Sequence, residues 1–347
     1  MRRALVTGAG GFIGSHLVTY LKQQGYFVRG VDIKRPEFGD TTADEFLIRD
    51  LRFPLPAMDA MAGGFDEVYA LAADMGGMGF ISYHDAEIMH NNSLINLNTL
   101  EAARHAKVER YLFTSSACVY PGFKQEQTDV IPLAEADAYP AWPDTEYGWE
   151  KLYTERMCLT YGKAYGFEVR IPRFHNIYGP NGTWDGGREK VPAALCRKVA
   201  EAKIAALRDG WQFTRLDDGS IMPIHATAPN TPLPEIEVWG DGEQTRSFLY
   251  IEDCVEAVFR LMHSRHKEPL NIGSDRAISI NELAYLVMRK AGVKMAIDHI
   301  RGPEGVRGRN SDNTLCAQVL DWRPFRSLDG GMALTYAWVE SQVQGVS

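Results

Sequence analysis

The chain opens on a short apolar, partly β-branched run, Ala4-Leu5-Val6-Thr7, which stops at Gly8-Ala9-Gly10-Gly11-Phe12-Ile13-Gly14 before an amphipathic stretch over residues 15–24. A run of that length predicts a buried strand, and the three-to-four spacing after the glycines predicts a helix. A second strand is predicted over 27–31, closing on Asp32, and others over 67–71, 110–114 and 168–172. Helical spacing lies between them, most clearly over 91–105 and 147–165. Strand and helix alternating at this pitch predict an α/β fold, a doubly wound parallel (Rossmann) sheet with helices on both faces.

Beyond residue 173 the regularity breaks. Gly179-Pro180-Asn181-Gly182, Gly186-Gly187, Pro229, Pro232 and Pro234 mark loops and short elements, as expected of a smaller α/β substrate-binding lobe. At 347 residues the chain exceeds the roughly 250 at which one core stops growing, so two lobes and a cleft follow. The expected division is a dinucleotide domain over 1–175 with a return segment near 245–265, and a substrate lobe from 176–244 and 266–347. Within the latter, 203–236 contains two strand-like runs around Asp218-Gly219, which predict a hairpin, followed by a proline-rich extended stretch over 226–234.

Composition narrows the function classes. Lys and Arg number 37 against 45 Asp and Glu, a net charge of −8, which argues against a broad nucleic-acid or membrane surface. An anionic ligand therefore needs a local basic cluster. The five cysteines, Cys118, Cys158, Cys196, Cys254 and Cys316, have neither CxxC nor Cys/His metal spacing, so no metal is expected and a reducing cytoplasm fits best. No stretch is apolar and long enough to predict a signal peptide or a membrane span.

Gly8, Gly11 and Gly14 form GxxGxxG between a strand and a helix. Glycines there let the turn close and bring backbone N–H groups and the helix N-terminus against a pyrophosphate. Asp32, about twenty residues on, can accept hydrogen bonds from both adenosine ribose hydroxyls and repels a 2′-phosphate, which favours NAD over NADP. Asp50 and Leu51, after the next strand-like segment, are candidate adenine neighbours.

Tyr147 and Lys151 stand at i and i+4, on one face of a predicted helix. A phenol is a poor base at neutral pH, and an adjacent ammonium is expected to lower its pKa. Upstream, Thr114-Ser115-Ser116-Ala117-Cys118-Val119-Tyr120 follows an apolar strand, at the end where ligands meet a doubly wound sheet. Ser116 can hydrogen-bond a reacting hydroxyl. Cys118 is either a buried hydrophobe or, beside a positive nicotinamide, an acid or base.

These motifs, in this order, resemble the extended short-chain dehydrogenase/reductase superfamily over almost the whole chain. The segments 71–80, 115–121 and 173–180, with Gly186-Gly187-Arg188-Glu189-Lys190, 239–248 and 305–311, are similar to the GDP-mannose 3,5-epimerase family within it. The resemblance implies tightly held NAD, oxidation of the hexose at C4, and acidified protons at C3 and C5. It implies redox roles for Tyr147 and Lys151, and acid/base roles for Cys118 and Lys190. It adds Phe12, Ile13 and Ala72 as cofactor contacts, and Gly76, Ser116, Ala117, Asn176 and Glu189 as sugar contacts. Lys198, Gln244, Arg246 and Arg309 would hold the nucleotide. His175, beside Asn176, is either an orienting group or a structural one.

Residues 203–236 are a departure from that family's pattern, and can line the base pocket, cover the cleft, extend a subunit contact or remain a tolerated surface hairpin. The expected activity is NAD-dependent epimerisation of a nucleotide-diphosphate hexose, foremost GDP-mannose at C3, C5 or both. The alternatives are another nucleotide-sugar 4-epimerase or decarboxylase, or a non-catalytic NAD-sensing protein. A dehydratase wants a carboxylate near Ser116, where Ala117 and Cys118 stand. The helices predicted over 91–105 and 147–165 resemble those that pair across a homodimer in the superfamily.

Overall fold

The computed structural model describes residues 1–228 and 231–346, so Pro229 lies outside the described residues. The first part of the chain runs β1 (Arg3–Thr7), α1 (Phe12–Gln23), β2 (Phe27–Asp32), β3 (Glu45–Ile48), α2 (Pro54–Met61), β4 (Glu67–Ala70), α3 (Met78–Ile81) and α4 (Asp85–Ala106). It continues through β5 (Arg110–Phe113), β6 (Ser115–Ser116), α5 (Glu146–Tyr165) and β7 (Glu168–Phe174). These strands, with β14 (Pro269–Ile272) from later in the chain, build a parallel sheet in the order β14-β7-β5-β4-β1-β2-β3, with β6 extending β5 along β7. The order reverses between β1 and β4, which opens a crevice beyond their carboxyl ends.

Both faces of the sheet are covered, so its strands are apolar at successive positions and do not alternate. Leu5 and Val31 face a core shared with Ala57, Leu100, Phe113 and Cys158, where α2, α4 and α5 pack. Ala4, Val6 and Val28 face the other side, against Leu17, Val18 and Leu21 of α1 and the apolar stripe of α7 (Ile251–His263).

The remaining chain supplies β8 (Ile177–Tyr178), α6 (Val191–Arg208), β9 (Trp211–Arg215), β10 (Ile221–His225), β11 (Glu235–Trp239), β12 (Thr245–Ser247) and β13 (Leu249–Tyr250). After α7 come β14 (Pro269–Ile272), β15 (Ala277–Ser279), α8 (Ile280–Ala291), β16 (Ala296–Ile300), β17 (Gly308–Arg309), α9 (Thr314–Leu320) and α10 (Leu328–Val346). Helices α6, α8 and α10 pack on one another, and β15-β12-β17 form a small sheet. The expected return to the main sheet near 245–265 reaches further, because β14 pairs in parallel with β7.

The hairpin expected within 203–236 is formed by β9 and β10, antiparallel with Trp211 opposite His225, and it turns through Gly219 at φ 81°. Trp211 is buried against α6 and anchors it.

Candidate active site

A cavity of about 820 Å³ runs from the crevice between β1 and β4, past the carboxyl ends of β5 and β7, to the amino end of α6. Apart from His175, the positions singled out in the sequence for cofactor or substrate line it: Gly8, Gly11, Phe12, Ile13, Gly14, Asp32, Asp50, Leu51, Ala72, Gly76, Ser116, Ala117, Cys118, Tyr147, Lys151, Asn176, Glu189, Lys190, Lys198, Gln244, Arg246 and Arg309. No hairpin residue of 211–225 lines it, which sets aside the pocket-lining reading of that segment.

At the crevice the glycines are required by space. A Cβ on Gly14 would collide with the Gly8 carbonyl, one on Gly10 with the Lys34 carbonyl, and Gly8 itself adopts φ +69° against Leu71 and Ala72. Helix α1 starts at Phe12 with Gly11 as cap and no side-chain acceptor, so its first N–H groups and its dipole face the cavity. Asp32 accepts from the Gly10 N–H at 2.9 Å and the Ile33 N–H at 2.6 Å, which fixes its carboxylate at the end of β2. Glycine cradle, open helix end and terminal carboxylate together fit a dinucleotide with free ribose hydroxyls. Asp50 is gripped by Arg52 through Nε at 2.9 Å and Nη2 at 2.6 Å, so its carboxylate is already engaged.

Tyr147 and Lys151 lie one turn apart on α5, both buried. Lys151 Nζ stands 5.5 Å from the centroid of the Tyr147 ring and 4.8 Å from that of Phe113. The expected lowering of the Tyr147 pKa is not what this arrangement produces. Burial pushes the phenol well above its usual value, the charges of Cys118 and Glu150 add to that, and only a hydrogen bond with Ser116 works against it. Burial likewise pulls the Lys151 ammonium down, while the Glu150 carboxylate favours its charge. Desolvation therefore outweighs the pairing in setting the direction of the Tyr147 shift.

Ser116 ends β6 and caps a short 3-10 turn, accepting from the Cys118 N–H at 3.2 Å. That turn presents Cys118 at the cavity wall, where Arg309 Nη1 donates to Sγ at 3.3 Å. Lys190 approaches on the chain entering α6, as the cap residue of that helix. Burial lowers its pKa, against the raising effects of Cys118 and Cys254. The neighbouring Glu189 carboxylate is occupied by the Gly187 N–H at 2.7 Å and Arg197 Nη2 at 3.2 Å.

The far end is lined by basic side chains. Arg246 and Arg309 are register partners of the parallel β12–β17 pair. Arg246 donates to the carbonyls of Thr245, Glu304 and Val306 at 2.8, 3.2 and 2.6 Å, and among the described residues no carboxylate pairs with it. Burial, and then the like charge of Arg309, pull it down to about 9. Two adjacent guanidinium groups, one of them without a carboxylate partner among the described residues, suit a diphosphate. Gln244 donates to the Trp239 carbonyl at 3.0 Å, and its buried Oε1 has no partner. Lys198 Nζ donates to the Glu237 carbonyl at 2.8 Å, and the Asn176 amide to the Ser247 carbonyl at 2.9 Å.

His175 lies outside the cavity, fully buried, with Nε2 donating to Asn271 Oδ1 at 3.0 Å. Burial lowers its pKa to about 3, so it is a neutral structural group. Sequence reasoning missed Gln125 and Asp144. Gln125 accepts from Arg309 Nε at 2.5 Å, and Asp144 pairs with Nη2 at 3.4 Å, so they aim the guanidinium at Cys118. Both sit in irregular segments far from residue 309, and no local pattern marks them.

A doubly wound sheet with a glycine cradle, a ribose-facing carboxylate and a tyrosine–lysine pair beside Ser116 defines an NAD-dependent short-chain dehydrogenase/reductase enzyme. Within that class the chain belongs to the NAD dependent epimerase/dehydratase family, which it matches over residues 4–273. It is 46% identical over 341 residues to the GDP-mannose 3,5-epimerase of Arabidopsis thaliana, covering 98% of this chain and 82% of that protein. A GDP-mannose 3,5-epimerase 1 of Oryza sativa subsp. japonica is also 46% identical, covering 99% and 82%. Among solved structures, a UDP-glucose 4-epimerase of Thermotoga maritima with UDP-glucose shares the fold, with a TM-score of 0.81, 24% identity and 98% and 99% coverage.

Proposed function

We propose that this enzyme inverts GDP-mannose at C3, C5 or both by way of a transient 4-ketone, and that Tyr147, Lys151, Ser116, Cys118 and Lys190 do the chemistry. The glycine cradle, the amino end of α1 and Asp32 would hold NAD, which would supply reversible hydride transfer at C4. Tyr147, hydrogen-bonded to Ser116, accepts the O4 proton as C4 is oxidised, when the positive charge of bound NAD would offset the burial, and donates it back on the return step, which its elevated pKa favours. The ketone acidifies the C–H bonds at C3 and C5.

Cys118 and Lys190 exchange those protons from opposite faces of the ring. The Arg309 guanidinium donates to Cys118 Sγ at 3.3 Å and so holds the thiol at the cavity wall. Desolvation of Lys190 favours release of its proton. Arg246, Arg309, Lys198 and Gln244 hold the nucleotide, and Gly76, Ala117, Asn176 and Glu189 surround the hexose. The observation that carries this reading is the second acid/base pair: Cys118 and Lys190 share the cavity with a complete redox set and lie close enough for the cysteine's charge to act on the lysine. A 4-epimerase has no use for that pair.

The curated relatives named for this reaction, at 46% identity over nearly the whole chain, support the same substrate. A homodimer built on α4 and α5 and a cytoplasmic location belong to the proposal. Five unpaired cysteines fit a reducing compartment, and cell fractionation checks it.

Incubation with GDP-mannose in deuterated water tests the reaction. Deuterium is expected at C5, C3 or both in recovered nucleotide sugar, and Cys118→Ala and Lys190→Met are expected to abolish it. Turnover without label at either carbon overturns the epimerase reading in favour of a 4-epimerase.

A further inference from the structure

We infer that Arg188 is a positioning residue, clasping the loop that carries Lys190 onto the segment after β4 and so setting the Lys190 ammonium against the sugar. The inference rests on the acid/base reading of Lys190 above.

The loop needs holding. Gly186 and Gly187 are consecutive residues at φ +85° and +84°, and a Cβ on either would meet nothing within 4 Å. Two left-handed glycines without packing leave the approach to Lys190 free to pivot. What stops it is a set of contacts across the cavity mouth. The Arg188 guanidinium donates through Nη1 to Asp74 Oδ1 at 3.0 Å and stacks over the Phe80 ring, 3.7 Å from the centroid. Its carbonyl accepts from the Gly77 N–H at 3.0 Å, and a Cβ on Gly77 would collide with the Glu189 carbonyl, so the two segments touch backbone to backbone.

The other half of the clasp is rigid. Asp74 Oδ2 accepts from Asn91 Nδ2 at 2.9 Å, its N–H donates to Asn92 Oδ1 at 2.6 Å, and its carbonyl accepts from Asn92 Nδ2 at 3.1 Å. Asp74 is thereby pinned to α4, and Arg188 pins the loop to Asp74. With side chains 48% and 24% exposed, this ion pair contributes little to global stability. Its effect is local. It fixes the angle at which Lys190 and Gly76, on opposite sides of the clasp, face each other across the hexose site.

The test compares Arg188→Ala, Arg188→Lys and the charge-exchanged Asp74→Arg/Arg188→Asp double variant with the parent enzyme, each loaded with NAD. Without substrate, amide hydrogen exchange at 185–190 is expected to rise in Arg188→Ala and to recover partly in the other two. With GDP-mannose, Arg188→Ala is expected to keep the KM and the single-turnover reduction of bound NAD while losing roughly 10- to 100-fold in deuterium incorporation, the scale of a misplaced reacting group. Unchanged loop protection, unchanged deuterium incorporation, or a defect confined to KM each overturns the proposal, the last by making Arg188 a direct substrate contact. Failure of the underlying reading looks different: Lys190→Met would then exchange at the parental rate, whatever Arg188→Ala does.

Discussion

Burial decides the protonation of the titratable residues that matter here, and it acts against the charged form in each. Tyr147 is pushed up, Lys151 and Lys190 are drawn down, and His175 is driven to about 3. For His175 the sign gives a stability prediction. Its folded pKa lies below the unfolded value near 6.5, so between those limits the unfolded chain binds the extra proton, and stability falls as pH drops from about 6.5 toward 3. His175→Asn keeps a donor for Asn271 and removes that titration. Urea midpoints at pH 7 and pH 5 are expected to differ less for the variant than for the parent; an equal difference would mean that His175 contributes nothing to the acid limb. At this scale the sequence placed Gly8, Gly14, Asp32, Tyr147 and Lys151 at the cavity, because each sits in a local motif with a fixed spacing, but not the direction of the Tyr147 shift, which burial sets. Gln125, Asp144 and the Arg188–Asp74 clasp were illegible, since each depends on contacts between segments more than a hundred residues apart.

Among the elements, the central strands could be read from apolar runs, and their edges shifted for physical reasons. Helix α4 starts at Asp85, six residues before the expected Asn91, with Asp85 and Glu87 placing negative charge in its first turn. Helix α1 starts at Phe12, three residues early, because the glycine turn leads directly into the helix. Strands of two or three residues, such as β8, β12, β13, β15 and β17, are too short to carry a periodic pattern. The outer face of the packed α4–α5 pair carries a prediction of its own. Met89 and Leu97 on α4, and Trp149 and Tyr153 on α5, are exposed apolar residues at multiples of four, and form stripes that a second copy can cover. The parent is expected to sediment as a dimer, and Leu97→Glu with Tyr153→Glu as a single chain that retains its helical content. A parent that already sediments at the mass of one chain removes the homodimer.

Over the whole molecule, one core joins the main sheet to the later helices. The cluster that begins with Ala4, Val6 and Val28 under the sheet continues through Val255 and Leu261 of α7 to Leu195 and Val199 of α6, Leu283 and Val287 of α8, and Met332 and Val339 of α10. The pairing of β14 with β7 ties the chain back into the main sheet after β8 to β13 and α7 have been built. A chain of this length with separable lobes would melt in stages. Here each large residue buried in that cluster contributes on the order of 2 kcal/mol, and the loss of either lobe exposes the wall of the other. Scanning calorimetry is therefore expected to show one transition whose van't Hoff and calorimetric enthalpies agree. Leu195→Ala, in the smaller lobe, is expected to lower the melting temperature of the whole curve without splitting it, at a cost of about 2–5 kcal/mol. Two resolved transitions, with only one moved by Leu195→Ala, would show that the sheet and the smaller lobe fold independently and that the cleft between them is free to open.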